Sequence, residues 1–109
     1  MRESELERIL VNEVKKAGGK AYKWVSPGND GVPDRIVFFP EGKVYFVELK
    51  ADDGRVRPQQ KIQLDALNGF GQCAGVVKGI GGLIEFFRFI GETDTAYKLE
   101  QRYGGGDYL

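Results

Sequence analysis

Arg35-Ile36-Val37-Phe38-Phe39-Pro40-Glu41-Gly42-Lys43-Val44-Tyr45-Phe46-Val47-Glu48-Leu49-Lys50 reads as two strands, Arg35 to Phe39 and Lys43 to Lys50, joined by a three-residue connection that contains a glycine. β-Branched and aromatic residues crowd both arms, and a short connection with Gly joins antiparallel strands. Period-two alternation puts Ile36, Phe38, Val44 and Phe46 on one face and Val37, Phe39, Tyr45, Val47 and Leu49 on the other. Both faces are apolar, so the hairpin belongs in a sheet that is covered on both sides. Helices are expected to flank it.

The flanking sequence supplies them. From Glu3 to Ala17, Leu6, Leu10, Val14 and Ala17 form one stripe at helical spacing, with Ser4 as the expected N-cap and Gly18-Gly19 as the stop. Lys20 to Val25 reads as a short strand, and Ser26 to Gly31 is turn chemistry that makes a long polar loop before Val32-Pro33-Asp34. Pro58 to Asn68 is a second helix, with Ile62, Leu64, Ala66 and Leu67 in its pattern and Gly69 near its end. Gln72 to Lys78 is a further strand, Gly81-Gly82 punctuates, and Leu83 to Ile90 suits a helix better than an exposed strand. The order is α-β-β-β-α-β-α, an α/β fold with a mixed central sheet flanked by helices. A single domain over 1–109 is expected, its core spanning about 3–90, followed by a polar helical segment at 93–103 and a flexible tail at 104–109.

Composition limits the chemistry. A chain of 109 residues supplies one core, so any reaction must share residues with it. No apolar run approaches bilayer-spanning length, and the charged start Met1-Arg2-Glu3-Ser4-Glu5 leads into an amphipathic helix rather than a signal core. A soluble, cytoplasmic protein with no membrane partner is expected. The single cysteine, Cys73, cannot form an internal disulfide and reads as a small core residue. Sixteen basic and sixteen acidic side chains cancel, so any attraction for nucleic acid must be local. The absence of histidine removes His-based acid/base pairs, His/Cys zinc sites and every triad that contains a histidine. Asp, Glu, Lys and a hard cation remain as chemical tools.

The hairpin places such tools together. With Phe39 opposite Lys43, counting back along both arms pairs Phe38 with Val44, Ile36 with Phe46 and Asp34 with Glu48. Facing residues have Cβ atoms about 4.5–5.5 Å apart, so two carboxylates meet at one end of the sheet. Lys50 shares the face of Glu48. A plain Glu48–Lys50 ion pair at the strand end is the simplest structural alternative, but it leaves Asp34 unexplained. Two carboxylates with backbone carbonyls suit Mg²⁺ or Mn²⁺, which complete their octahedra with waters and phosphate oxygens. A nearby lysine then orients the attacking water or offsets charge on the phosphate. The glycines at 28–31 and 79–82 lack the Gly-Lys-Ser/Thr ending of a phosphate loop and read as turns.

Gly31-Val32-Pro33-Asp34, then Glu48-Leu49-Lys50, then Pro58-Gln59-Gln60 at the start of a helix resemble, in that order and spacing, the PD-(D/E)xK nucleases and, within them, the VRR-NUC domain. The resemblance covers Glu3 to about Ile90 and implies a restriction-endonuclease-like fold and a Mg²⁺- or Mn²⁺-dependent DNA endonuclease. It implies that Asp34, Glu48 and the backbone carbonyl of Leu49 hold the metal, that Lys50 acts on the attacking water, and that Gln60 supports the site. Gln60 also shares a helical face with Leu64 and Leu67, which points it toward the sheet. Relatives add a glutamate from the first helix; here Glu7 is the first choice, Glu3 the second, and Glu13 flanks the other edge of the apolar stripe.

Lys20, Lys23, Lys43, Arg35, Arg55, Arg57 and Lys61 fall in or around the elements that build the site and are the candidate nucleic-acid contacts. The alternatives in other classes are a catalytically idle nucleic-acid-binding or interaction module, and a nuclease acting on RNA. An idle copy would be expected to have lost Asp34, Glu48 or Lys50, and all three stand. One small domain carries one cut site, so incision of a Holliday junction would need a homodimer. Spare apolar material in Leu83–Ile90, Tyr97, Leu99 and Tyr103 is the expected means of pairing, and domains resembling this one are associated with DNA repair and recombination.

Overall fold

The hairpin forms in the register counted from the sequence. The structure, a computed structural model describing residues 1–104, pairs β2 (Arg35–Phe39) with β3 (Lys43–Lys50) from Phe39 opposite Lys43 to Arg35 opposite Val47. Both Glu41 and Gly42 adopt positive φ, 68° and 75°, to close the connection. β1 (Lys20–Lys23) pairs antiparallel with β2, and β4 (Cys73–Lys78) pairs parallel with β3. The result is a four-stranded mixed sheet in the order β1-β2-β3-β4. The parallel return from β3 to β4 is carried by α2 (Pro58–Gly69).

α1 (Glu3–Lys16), α3 (Gly79–Phe89) and α4 (Thr93–Leu99) cover one face of this sheet. Leu6, Leu10 and Val14 of α1, Leu83, Ile84 and Phe87 of α3, and Ala96 and Leu99 of α4 close on Val37, Val47, Leu49 and Val77 of the strands. α1 ends as expected: the Gly18 amide donates to Lys15 and the Gly19 amide to Val14, with Gly18 at φ 96°. Its start differs from the sequence reading. Arg2 holds the N-cap position without a side-chain bond, and Ser4 lies inside the helix, where Glu3 and Glu5 supply first-turn negative charge.

Three other expectations are corrected. The glycines at 79–82 do not separate β4 from the next helix but form its first turn. A Cβ on Gly82 would come within 3.3 Å of the Val77 backbone, so its bareness lets the helix start against the strand end. The core does not stop near residue 90, because Thr95, Ala96 and Leu99 are buried and Tyr103 packs on it. α4 and the π-helical turn Glu100–Gly104 thus extend the core past residue 90, and of the expected tail Gly104 is buried while 105–109 lie outside the described residues. Cys73 is only partly buried, because β4 lies at the edge of the sheet. There the Asn68 amide both donates to and accepts from the Ala74 backbone at 2.9 Å, sealing part of that edge.

The second face is covered less than its apolar pattern implied. α2 turns Gln60 and Leu64 inward over the β3–β4 end, while Tyr22 and Phe38 toward the β1 side remain exposed. Among the described residues no helix is long and apolar enough to cross a membrane.

Candidate active site

Asp34 stands immediately before β2, and its carbonyl accepts the Trp24 amide at 3.0 Å, which carries the β1–β2 pairing one step further. Its side chain is anchored across the hairpin: Oδ2 accepts the Leu49 backbone N–H at 2.8 Å. The register that places Arg35 opposite Val47 puts Asp34 opposite Glu48 on the next step. The negative charge of Asp34 accordingly acts on Glu48.

Glu48 is 1% exposed, an acid placed where the strand is otherwise apolar. Its Oε2 accepts from Gln60 Nε2 at 2.7 Å and pairs with Lys50 Nζ at 3.3 Å. Its Oε1 is buried without a hydrogen-bond partner. Burial, with Asp34 as the next contribution and Glu3 a smaller one, pushes the Glu48 carboxyl up to about 7, against the partial relief given by Lys50. A carboxylate so buried, beside another, with one oxygen unsatisfied, is a costly arrangement for a purely structural ion pair.

α2 holds the carboxylate in place from the other side. Gln60 Oε1 accepts the Arg57 backbone N–H at 2.9 Å, so one amide caps the first turn of the helix with its oxygen and orients Glu48 with its nitrogen. The loop before Asp34 packs on the same helix start. Gly31 has φ 88°, and a Cβ there would lie 2.7 Å from the Gln59 carbonyl carbon and 2.9 Å from the Gln60 nitrogen. Gln63 Nε2 donates to the Asp30 carbonyl at 3.2 Å, and Arg57 reaches Asp30 at 3.8 Å. Together the loop and the helix wall a cleft that runs from Trp24 past Asp34 to Arg57 and Gln60.

Asp34, Glu48, Lys50 and Gln60 are therefore brought together, with the Leu49 backbone between the acid and the lysine. The first-helix carboxylates separate. Glu7, the first choice from sequence, accepts from Arg35 Nε at 2.8 Å, while Arg35 Nη1 also donates to the Ala21 carbonyl at 3.1 Å. Both are engaged in a partly buried ion pair that ties α1 to the sheet, so Arg35 is not free to meet a phosphate as expected. Glu3 is the first-helix carboxylate whose charge acts on Glu48. Glu13 is buried in the last turn of α1, beside Lys16. Of the other cations, Arg57 lies on the cleft rim, Lys61 pairs with Asp65 in solvent, and Lys20 sits 4.6 Å over the Tyr22 ring. Lys23, Lys43 and Arg55 are exposed. The close approach at Gly31 escaped the sequence reading, although its place just before Val32-Pro33-Asp34 was the available signal.

Among the described residues no three Asp, Glu, Cys or His side chains converge as a ready metal cage. Comparison with known proteins bears on this arrangement. The VRR-NUC domain description matches residues 2–80. "Putative nuclease p44" of Acyrthosiphon pisum secondary endosymbiont phage 1 is 55% identical over 60 residues, which make up 55% of this chain and 64% of that protein. The chain thus matches somewhat less than two thirds of that relative's length. A solved structure described as "VRR_NUC domain" superposes with a TM-score of 0.67 at 22% identity, covering 93% of this chain and 96% of its own. Another, "VRR_NUC domain protein", gives 0.66 at 22% identity and covers 81% and 86%. At that identity the likeness is one of fold, and it is the restriction-endonuclease-like mixed sheet flanked by helices.

Proposed function

This chain belongs to the VRR-NUC domain family, and from that premise we propose that it hydrolyses phosphodiester bonds in DNA with Mg²⁺ or Mn²⁺ held between Asp34 and Glu48. The observation that carries the reading is the Glu48 carboxylate, buried beside Asp34 with Oε1 lacking a partner. A hard cation fits this donor set: it would satisfy the free oxygen and offset the two facing negative charges. Asp34, Glu48 and the Leu49 carbonyl would hold it, and so few protein ligands leave room for water and phosphate oxygens, as Mg²⁺ prefers. When bound, the cation supplies positive charge to the phosphate and makes water more acidic.

The chain's own groups do the rest. Gln60 fixes Glu48 through Oε2, and the Leu49 amide fixes Asp34, so neither carboxylate swings when substrate arrives. Lys50, 3.3 Å from the same Glu48 oxygen, presents an ammonium to the attacking water and the phosphate oxygens. Arg57 on the cleft rim contacts the strand beyond the cut.

The preferred substrate in this reading is branched DNA, such as a Holliday junction in repair or recombination, cut by two copies of the chain. Two-fold incision requires two sites, whatever surface joins them. Leu83, Ile84, Phe87 and Leu99, expected to pair subunits, are consumed by the chain's own core, and Phe89 and Tyr97 are the exposed remainder of that segment. An idle binding module would have no use for an orphaned buried carboxylate between Asp34 and Lys50. Cleavage of linear duplex, single strand, flap and four-way junction, in DNA and RNA versions with and without Mg²⁺, tests the proposal. The expected result is Mg²⁺-dependent cutting of DNA that Asp34→Asn and Glu48→Gln both abolish. Retained activity in either purified variant would remove the site.

A further inference from the structure

The strand face that carries Asp34, Glu48 and Lys50 continues away from them as an aromatic surface. The pairing registers place Trp24 beside Asp34, Tyr22 beside Ile36, Phe46 beyond it on β3, and Phe38 at the far end next to Lys20. Trp24 and Phe46 meet with ring centroids 5.5 Å apart, and Tyr22 and Phe38 meet edge to face at 5.7 Å. This end of the face is left open: Tyr22 is 50% exposed and Phe38 41%. Lys20 lies over the Tyr22 ring. Apart from Asp34 and Glu48, the charged residues of the strands on this face are Lys20, Lys50 and Lys78.

The geometry points to a stacking platform for unpaired bases of the nucleic acid strand next to the cut. This rests on the nuclease reading and names the substrate feature its site selects. Rings accept the flat faces of bases whatever their identity, and adjacent ammonium groups meet the phosphates between them. The platform is continuous with the carboxylates: Phe38 lies four steps along the strand from Asp34, a reach of about 13 Å at roughly 3.3 Å per residue. That length accommodates a few nucleotides. Stacking does not depend on bulk charge, which lets a chain of zero net charge hold a strand. Bases in intact duplex are stacked on one another, so among branched substrates the platform favours those whose nucleotides at the branch point, beside the cleavable bond, are unpaired.

Trp24 is the chain's one tryptophan, so its emission reports on the platform directly. With full-length protein in chelator, where no cleavage occurs, a 12-nucleotide oligothymidylate is titrated against a blunt hairpin duplex, following Trp24 emission and the anisotropy of end-labelled DNA. The expected result is saturable quenching by the single strand, with affinity at least about tenfold above that for the duplex. Tyr22→Leu and Phe38→Ala each weaken single-strand binding by about fivefold or more, since stacking contributes about 1–3 kcal/mol per base. Tyr22→Phe retains binding, and Phe70→Ala and Phe89→Ala, exposed elsewhere, leave it unchanged. Thermal melts of every variant verify that the fold is kept. Unchanged binding in folded Tyr22→Leu and Phe38→Ala overturns the platform. So does a homodimer that these variants dissociate in the absence of single-strand binding, because the face is then covered by a second copy. A wild-type protein that cuts no substrate yet loses single-strand binding in these variants supports the platform and rejects the nuclease reading. Cutting that is indifferent to them does the reverse.

Discussion

At the scale of single residues the protein turns on Glu48. Its folded-state carboxyl holds a proton up to about 7, whereas the unfolded chain gives it up near the ordinary value of 4.5. Between those pH values the folded state binds more protons than the unfolded state, so stability falls as pH rises through the window. Below it both states are protonated and the full stability is present. At about 1.4 kcal/mol per unit of displacement, the loss has a ceiling of roughly 3 kcal/mol. Denaturant unfolding of the metal-free protein should therefore give a lower midpoint at pH 8 than at pH 5, and Glu48→Gln should flatten that difference. Mn²⁺ should restore stability at pH 8 more than at pH 5, because only the ionised carboxylate competes well for a cation. An unfolding midpoint that does not respond to pH in this range would argue against the buried charge. Lys50→Ala should lower turnover by about 100-fold or more while calorimetric Mn²⁺ binding persists, if the lysine acts on water rather than on the ion. Loss of Mn²⁺ binding in that variant would reassign it.

Secondary-structure elements meet at two strained joints with opposite consequences. Glu41 pays a left-handed backbone conformation in an exposed turn, where among the described residues its side chain makes no hydrogen bond or ion pair. Glu41→Gly should raise stability by about 0.5–1 kcal/mol without altering cleavage, as thermal melting and the nuclease assay would read. Gly31 is different, because its positive φ coincides with a tight approach to Gln59 and Gln60. Gly31→Ala should cost about 2 kcal/mol or more and push the loop off the helix that orients Glu48. Its cleavage rate should fall more than its melting temperature alone explains. A variant as active and stable as the parent would show that the loop is free to shift.

For the molecule as a whole, the C-terminal segment is the informative part. Leu99 is 1% exposed and closes the core over α3, so Leu99→Ala should cost about 2–4 kcal/mol in denaturant unfolding. A cost near zero would mean that α4 is a loosely held arm after all. Sedimentation at micromolar concentration, combined with junction cleavage, tests whether two copies work together. A monomer that cuts junction and linear duplex equally would defeat the paired reading and leave the nuclease proposal intact.

The hairpin, its register and the meeting of Asp34 with Glu48 and Lys50 were legible along the chain because they follow from local rules: a turn length, a period of two and a short count along neighbouring strands. The inward turn of Gln60 followed from helical periodicity in the same way. Which first-helix glutamate acts on Glu48 was not legible, since Glu3 and Glu7 occupy nearly the same side of one helix and only their places against the sheet separate them, Glu3 acting on Glu48 and Glu7 meeting Arg35. Arg35 captures Glu7, a partner 28 positions away, and no local pattern encodes that pairing. The glycines at 79–82 read as a break because glycine disfavours helix in isolation, whereas close packing on Val77 favours a helix start with no side chain. The polar look of the segment after Thr93 hid Thr95, Ala96 and Leu99, too few apolar positions to reveal a buried side until α3 offers them a surface. The open aromatic face depends most on long-range packing: alternation shows that a strand has an apolar side, but whether a helix reaches it depends on where the connection between β3 and β4 runs, and α2 covers only the end that holds Glu48.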